Sequence, residues 1–204
     1  GFLKKAGDVG HNAGGVFIAD EVQPGFARLG ETFWGFEFHG VTPDIVTMGK
    51  PMGNGFPMAA VATRSEYLDS FCADVGYFNT FGGNPVAAAA GQAVLDTIKQ
   101  ENLQENARKM GLYLKTQLSS IIKQSAYVNE VRGQGLILGI DIGKRDNKHV
   151  PDPVKTKQVI NDLKTAGVLI GAAGRFGAPL KLRPLLTLRQ SEADFFLEAF
   201  SQQV

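Results

Sequence analysis

Cysteine occurs once in the 204 residues, at Cys72. A single thiol excludes an intramolecular disulfide and suits a reducing compartment. An excess of either charge is also missing, since 21 Lys and Arg stand against 20 Asp and Glu. That balance offers no basic footprint for nucleic acid and no strong attraction to an anionic membrane. No apolar run approaches the roughly 20 residues of a bilayer-spanning helix. The signal-peptide pattern is absent, as are internal repeats and low-complexity segments. The chain opens at Gly1, without Met, inside what reads as a helix under way. The expectation is a piece of something longer, working in the cytoplasm, with the mitochondrion left open because the start is missing. What is present is 44% hydrophobic residues, enough for a core in one or two domains.

Short apolar runs mark the first strands. Val16–Ala19 follows Gly14-Gly15 and reads as a buried strand ending at Asp20. Residues 44–48 read as another, leading to Lys50, and 59–62 as a third. The loop between the first two, "PGFARLGETFWGFEFHG", is long enough to suggest function. Asn84-Pro85 opens a helix, with Asn as cap and Pro in the first turn. Leu103, Ala107, Met110, Leu114, Leu118 and Ile121 then recur at steps of three and four, one apolar stripe that reads as core or domain contact.

Beyond residue 125 the pattern changes. "LILGIDI" (136–142), "VLI" (168–170) and "LKLRPLL" (180–186) read as strands. A helix opens at Asp152-Pro153 and stops at Gly167, and Ser191 with Asp194 reads as the capping box of the last helix. Strands and helices alternate here in a second, smaller α/β unit.

One lysine is oddly placed. In "DIVTMGKPMGNGFPMAA", Lys50 is the only charge between Ile45 and Thr63, set at a strand end among turn-forming residues. The plain reading is a loop charge on the surface. A phosphate-binding P-loop fails, because Asp44 stands where its first glycine belongs and Pro51 where its hydroxyl belongs. The third reading is a nucleophile. A lysine desolvated among apolar neighbours loses part of its preference for the charged form, and its free amine can form a Schiff base with a carbonyl. In an open parallel sheet, ligands bind outside the carboxyl ends of the strands. Asp20 and Lys50 both sit at such ends. A structural ion pair is the simple account of that couple. The functional account is a pyridoxal phosphate site, which needs a lysine for the aldehyde and an acid beside the pyridine nitrogen.

The segment "GGVFIADEVQPGFARLGETFWGFEFHGVTPDIVTMGKPMGNGFPMAAV", with "YFNTFGGNPVAAAAG" and "VRGQGLILGIDI", resembles the class III pyridoxal-phosphate aminotransferases of fold type I. The resemblance runs from about residue 13 to the C-terminus. It implies an α/β chain, with the C-terminal part of a large cofactor domain over residues 1–100 and a connecting helix plus small C-terminal domain over 101–204. It implies pyridoxal 5'-phosphate as cofactor, Lys50 as Schiff-base lysine and proton shuttle, and Asp20 as partner of the pyridinium. Val22 is placed like the residue packed on one ring face, and Gln23 like the amide on the ring hydroxyl. Thr80 matches the threonine that binds the cofactor phosphate in the neighbouring subunit of a homodimer. No metal is implied.

The substrate residues depart from the family pattern. Lys181 stands at the usual position of the arginine that holds a substrate carboxylate, and Arg183 lies two residues on, hence on the same face of a strand. "YFNTFGGNPV" and "LKLRPLL" look closest to the alanine-glyoxylate aminotransferase-like branch, which includes phospholyases. The resemblance therefore implies transfer of an amino group between an amine or amino acid and a 2-oxo acid. A phospho-lyase acting on ethanolamine phosphate or a similar phosphorylated amine is the alternative. A truncated, non-catalytic fragment is the reading from another class, since the family's N-terminal half is not in this sequence.

Overall fold

A computed structural model of the chain describes residues Gly1–Val204. The chain divides into two compact units, Gly1–Leu103 and Gln104–Val204.

The first unit carries α1 (Phe2–Asn12), β1 (Ile18–Asp20), α2 (Gly35–Phe38), β2 (Ile45–Met48), β3 (Ala60–Thr63), α3 (Ser65–Asp74) and α4 (Pro85–Gln100). Its three strands lie in the order β1-β2-β3. β1 runs parallel to β2, with Asp20 beside Thr47, while β3 returns antiparallel, with Ala60 beside Met48. The sheet is thus mixed, where the sequence suggests a parallel one. The segment from Gly49 to Ala59 is shorter than the dozen or so residues a parallel crossover needs. The strands are also less buried than their composition suggests. Ala19 is enclosed, but Ile18 is 54% and Val61 66% exposed, so these strands lack cover on one face.

α4 begins as its sequence dictates. Asn84 Oδ1 accepts from Ala87 N at 2.9 Å, and Pro85 occupies the first turn, where its missing N–H costs nothing. The small side chains of α4 allow close packing: a Cβ on Gly91 would stand 3.2 Å from Met58 Sδ and 3.7 Å from Met52 O. α4 is thereby set against the segment that follows β2.

In the second unit α5 (Leu103–Gln124) is followed by β4 (Val128–Gln134), β5 (Ile137–Ile142), α6 (Pro153–Thr165), β6 (Gly171–Ala172), β7 (Pro179–Leu182) and α7 (Gln190–Ser201). The four strands form an antiparallel sheet in the order β4-β5-β7-β6. The apolar stripe of α5 faces the core: Ala107, Met110, Leu114 and Leu118 join Leu138, Ile140, Leu180 and Phe200 in one cluster. Burying each large side chain contributes on the order of 1.5–3 kcal/mol. Gly111 lets the helix meet the β4–β5 turn directly, since a Cβ there would lie 2.3 Å from Gly135 O.

Several local expectations shift. β4 has no counterpart in the sequence reading, because its residues "VNEVRGQ" alternate weakly and are mostly polar. "VLI" is not a strand: Leu169 is 86% exposed, and the pairing residues are Gly171 and Ala172. β7 stops at Leu182, ahead of Pro184, which has no N–H to donate. The last helix starts at Gln190, inside which Ser191 already lies. Its N-cap residue is Arg189, whose N–H donates to Glu192 Oε2 at 2.8 Å. Asp194 instead accepts from the Tyr113 hydroxyl. The α6 start matches the sequence: Asp152 Oδ1 accepts from Lys155 N at 2.9 Å.

Candidate active site

Parallel pairing puts the carboxyl ends of β1 and β2 at one edge of the sheet, and both chain segments turn there. At β1 the last residue is Asp20, exposed, with Oδ1 accepting from Val22 N at 3.0 Å. At β2 the chain passes through Gly49 into a 3-10 turn, Lys50–Met52, closed by Met52 N donating to Gly49 O at 2.8 Å. Lys50 has a φ of 20°, outside the right-handed range a lysine ordinarily takes. Such departures cluster where a side chain must be aimed.

Lys50 is exposed rather than desolvated, as the nucleophile reading had it, and its ammonium makes no ion pair or hydrogen bond. The simple account of an Asp20–Lys50 ion pair is therefore not what the structure holds. Val22 packs against Gly49, the residue before Lys50: a Cβ on buried Gly49 would meet both Val22 methyl groups at 3.8 Å and Ala59 Cβ at 3.9 Å. The structure thus sets Asp20 beside Thr47 and Val22 against Gly49. Gln23 follows, exposed.

Thr80 sits in an exposed turn of the same unit, ahead of α4. Asn79 Oδ1 accepts from Phe81 N at 3.2 Å and Gly82 N at 3.0 Å, and Gly83 takes a φ of 68° that favours glycine. The flanking rings are out in solvent, Phe78 at 87% and Phe81 at 79% exposure.

Lys181 and Arg183 belong to the second unit. Leu180 and Leu182 point into the core, which leaves Lys181 and Arg183 on the opposite face. They differ in how they are held. Lys181 is exposed and makes no ion pair. Arg183 is half-buried, with Nη1 donating to Leu138 O at 2.7 Å and to Leu182 O at 2.9 Å. Its Nε is buried without a partner, and partial burial pulls the guanidinium below its ordinary pKa. Both line a groove of about 270 Å³ with Arg132, Gly133, Ile137, Leu138 and Gly139 among its walls. Gly139 and Gly171 are the cross-strand neighbours of Lys181, and the Arg132 side chain lies beside Gly139. Two carboxylates share this face, Glu130 and Asp141; both meet Arg132, and Asp141 Oδ1 is buried without a hydrogen-bond partner. Neither Lys181 nor Arg183 forms an ion pair with them.

Two acidic residues escaped the sequence reading. Glu21 is 2% exposed and binds the start of α2, although the motif around it points to Asp20, Val22 and Gln23 and gives Glu21 no role. Asp44 closes the far end of the sheet. Oδ2 accepts from Phe17 N at 2.8 Å and meets His11 Nε2 at 2.7 Å, while Oδ1 meets Arg64 at 2.6 Å. The Phe17 amide first, then His11, hold its carboxyl below the usual range. A strand-start aspartate gives no signal of this in sequence, since its three partners come from distant segments.

The profile of the class-III aminotransferases matches residues 1–204. The chain belongs to the class-III aminotransferase family. It is 47% identical over 199 residues to the mitochondrial alanine–glyoxylate aminotransferase 2 homolog 2 of Arabidopsis thaliana, an alignment covering 98% of this chain and 41% of that protein. It is 45% identical over 183 residues to ethanolamine-phosphate phospho-lyase homolog 1 of Caenorhabditis elegans, covering 88% of this chain and 39% of that protein. Among solved structures, an Arthrobacter phospholyase in complex with phosphoethanolamine superposes with a TM-score of 0.95 at 43% identity, over 100% of this chain and 48% of that one. This class-III chain therefore spans about two-fifths of the length of the curated relatives it matches. The family has the pyridoxal-phosphate-dependent fold of type I, and the α/β architecture here corresponds to about half of the solved Arthrobacter chain. No helix is long and apolar enough to cross a membrane.

Proposed function

We propose that the protein transfers an amino group between an amine or amino acid and a 2-oxo acid, with this chain supplying the lysine and aspartate of a pyridoxal phosphate site. The observation that carries the reading is the placement of Asp20 and Lys50 at one edge of two neighbouring parallel strands, the lysine unpaired and the carboxylate oriented by Val22 N. These residues fit the cofactor in chemistry. Lys50 offers an amine with no competing partner, Asp20 an acceptor for a ring N–H, and Val22 an apolar surface against Gly49, the residue before Lys50. Gln23 offers an amide for the ring hydroxyl, and Thr80 a hydroxyl for a phosphate. When bound, the cofactor supplies an electron sink for charge developing at the substrate carbon. Asp20 keeps the ring nitrogen protonated. Lys50 holds the cofactor and then moves the proton at the reacting carbon.

Thr80 lies among exposed rings, which supports a homodimer in which this turn serves the neighbouring subunit's site. The mitochondrial names of some relatives support a mitochondrial site of action alongside the cytoplasmic one.

A second reading has its own support. A carboxylate is best held by the planar fork of arginine, whereas Lys181 is a point charge that suits a phosphate. With Arg183 on the same face, the pair suits a phosphorylated amine, the ligand class named for the Arthrobacter phospholyase. The test is to offer ethanolamine phosphate without any oxo acid and follow phosphate release, then alanine with 2-oxoglutarate, or 4-aminobutyrate with 2-oxoglutarate or pyruvate, and follow the new amino acid. Amino transfer without phosphate release is expected. Stoichiometric phosphate and aldehyde with no acceptor overturn the first reading in favour of the second.

A further inference from the structure

Asp20 is exposed and Val22 half-buried, so neither is held in place by its own burial. The residue between them is. Glu21 is 2% exposed, and an enclosed carboxylate is costly unless N–H groups replace its water. Oε2 accepts from Gly35 N at 2.7 Å and Oε1 from Phe36 N at 2.8 Å, both at the start of α2. The main chain of Glu21 is engaged as well: its N–H donates to Thr47 O at 2.9 Å, and its carbonyl accepts from Gly25 N at 3.2 Å. One residue thus ties the end of β1 to β2, to the following turn and to α2. The surroundings are closed. A Cβ on Gly35 would come within 2.8 Å of Pro24 Cβ and 3.1 Å of Glu21 Oε1, and a Cβ on Gly25 within 2.9 Å of the Trp34 ring. Trp34 in turn packs edge-on against Phe26 and Phe33, with centroids at 5.2 and 4.8 Å.

We propose that Glu21 is a positioning residue for the cofactor: anchored to α2, it fixes the turn that lets Val22 N hold the Asp20 carboxylate in direction. This rests on the reading of Asp20 as the cofactor's ring partner. A glutamine at position 21 keeps one acceptor but turns an NH₂ toward a backbone N–H, so one bond is lost and the other strained. Glu21→Gln removes the anchor from the side of the carboxylate. Gly35→Ala displaces it from the side of α2. Trp34→Phe loosens the aromatic packing with both carboxylate bonds intact, and so controls for loss of stability alone.

The experiment titrates the full chain with pyridoxal phosphate and records the half-saturating concentration. It also records the pH at which the visible absorption of the bound cofactor changes, and the emission of Trp34, the only tryptophan. Glu21→Gln and Gly35→Ala are expected to raise half-saturation about tenfold, to move the absorption midpoint, and to red-shift Trp34 with or without cofactor. Trp34→Phe is expected to lower the melting temperature and leave half-saturation unchanged. Binding by Glu21→Gln equal to that of the wild type overturns the proposal. So does equal weakening by Trp34→Phe, or failure of both Glu21→Gln and Gly35→Ala to fold, either of which makes Glu21 merely structural. A wild-type chain that binds no pyridoxal phosphate at all overturns the reading of the site itself, and the proposal falls with it.

Discussion

Asp20 ends β1, Lys50 stands two residues beyond the same end of its parallel neighbour β2, and the two do not pair with each other. A lysine placed beside a carboxylate for stability would close the ion pair. This one is left available, on a backbone with a φ of 20° that aims it. Incubation with pyridoxal phosphate, borohydride reduction and peptide mapping should place a pyridoxyl group on Lys50. A label found chiefly on Lys4, Lys5 or another lysine would remove Lys50 from the site.

Asp20→Asn should keep cofactor bound and lose turnover by about 10²-fold or more, the scale seen when one group stabilising developing charge is removed. The amide can still accept from Val22 N through its oxygen, so the local turn survives. What it lacks is the negative charge that keeps a ring nitrogen protonated. Steady-state rates alongside a binding titration separate the two effects. A variant with near-normal rates would make Asp20 a turn former only.

The strand end at Asp20 and the turn at Lys50 were legible in the sequence, because each follows a short apolar run in a motif of unusual composition. The caps Asn84 and Asp152 were legible for the same reason, being local signals that need only three following residues. The α5 stripe was legible through its spacing, which the core confirms at Leu114 and Leu118. Strand direction was not. Whether β3 runs with or against β2 depends on the length of the intervening turn, and apolar composition carries no sense of direction. β4 was hidden because its partner β5 supplies the apolar face. Glu21 was hidden because burial of a carboxylate depends on Gly35 and Phe36, 14 and 15 residues away.

Asp44 should make stability depend on pH. Its carboxyl is held below the ordinary range by the Phe17 amide and by His11, so the folded form favours the charged state. A depressed folded pKa means that this stabilisation is present above the unfolded value of about 4 and is lost as pH falls through the lower folded value. Asp44→Asn should therefore lower the melting temperature at pH 7 by a few degrees, on the order of 4 °C, with the difference shrinking below pH 4. Arg64 on the other oxygen adds to the loss, since the amide pairs with it weakly. Melts of both proteins at pH 7 and pH 3 check this. A difference that stays constant across that range would show that the charge of Asp44 does not contribute.

Lys181 and Arg183 share a face but should separate in effect. Arg183 is braced by the carbonyls of Leu138 and Leu182, which join β5 to the end of β7. Charged hydrogen bonds of this kind contribute about 1.5–3 kcal/mol each before the cost of burying the guanidinium is set against them. Its unpartnered Nε is part of that cost. Arg183→Ala should therefore destabilise the second unit by about 1–2 kcal/mol net. Lys181 carries no such burden, being exposed with no partner. Lys181→Ala should leave the melting temperature within about 1 °C and raise KM for an anionic substrate about tenfold, with kcat little changed, the pattern of lost uniform binding. Lys181→Arg then reports on the anion. A planar fork in place of a point charge should improve the KM for a carboxylate acceptor, because two parallel N–H donors match its two oxygens. For a phosphate the gain should be smaller, since lysine already serves that group as a point charge. Steady-state kinetics of the three variants with pyruvate and with ethanolamine phosphate distinguish these outcomes. Unchanged KM values for both compounds in Lys181→Ala would remove Lys181 from substrate binding.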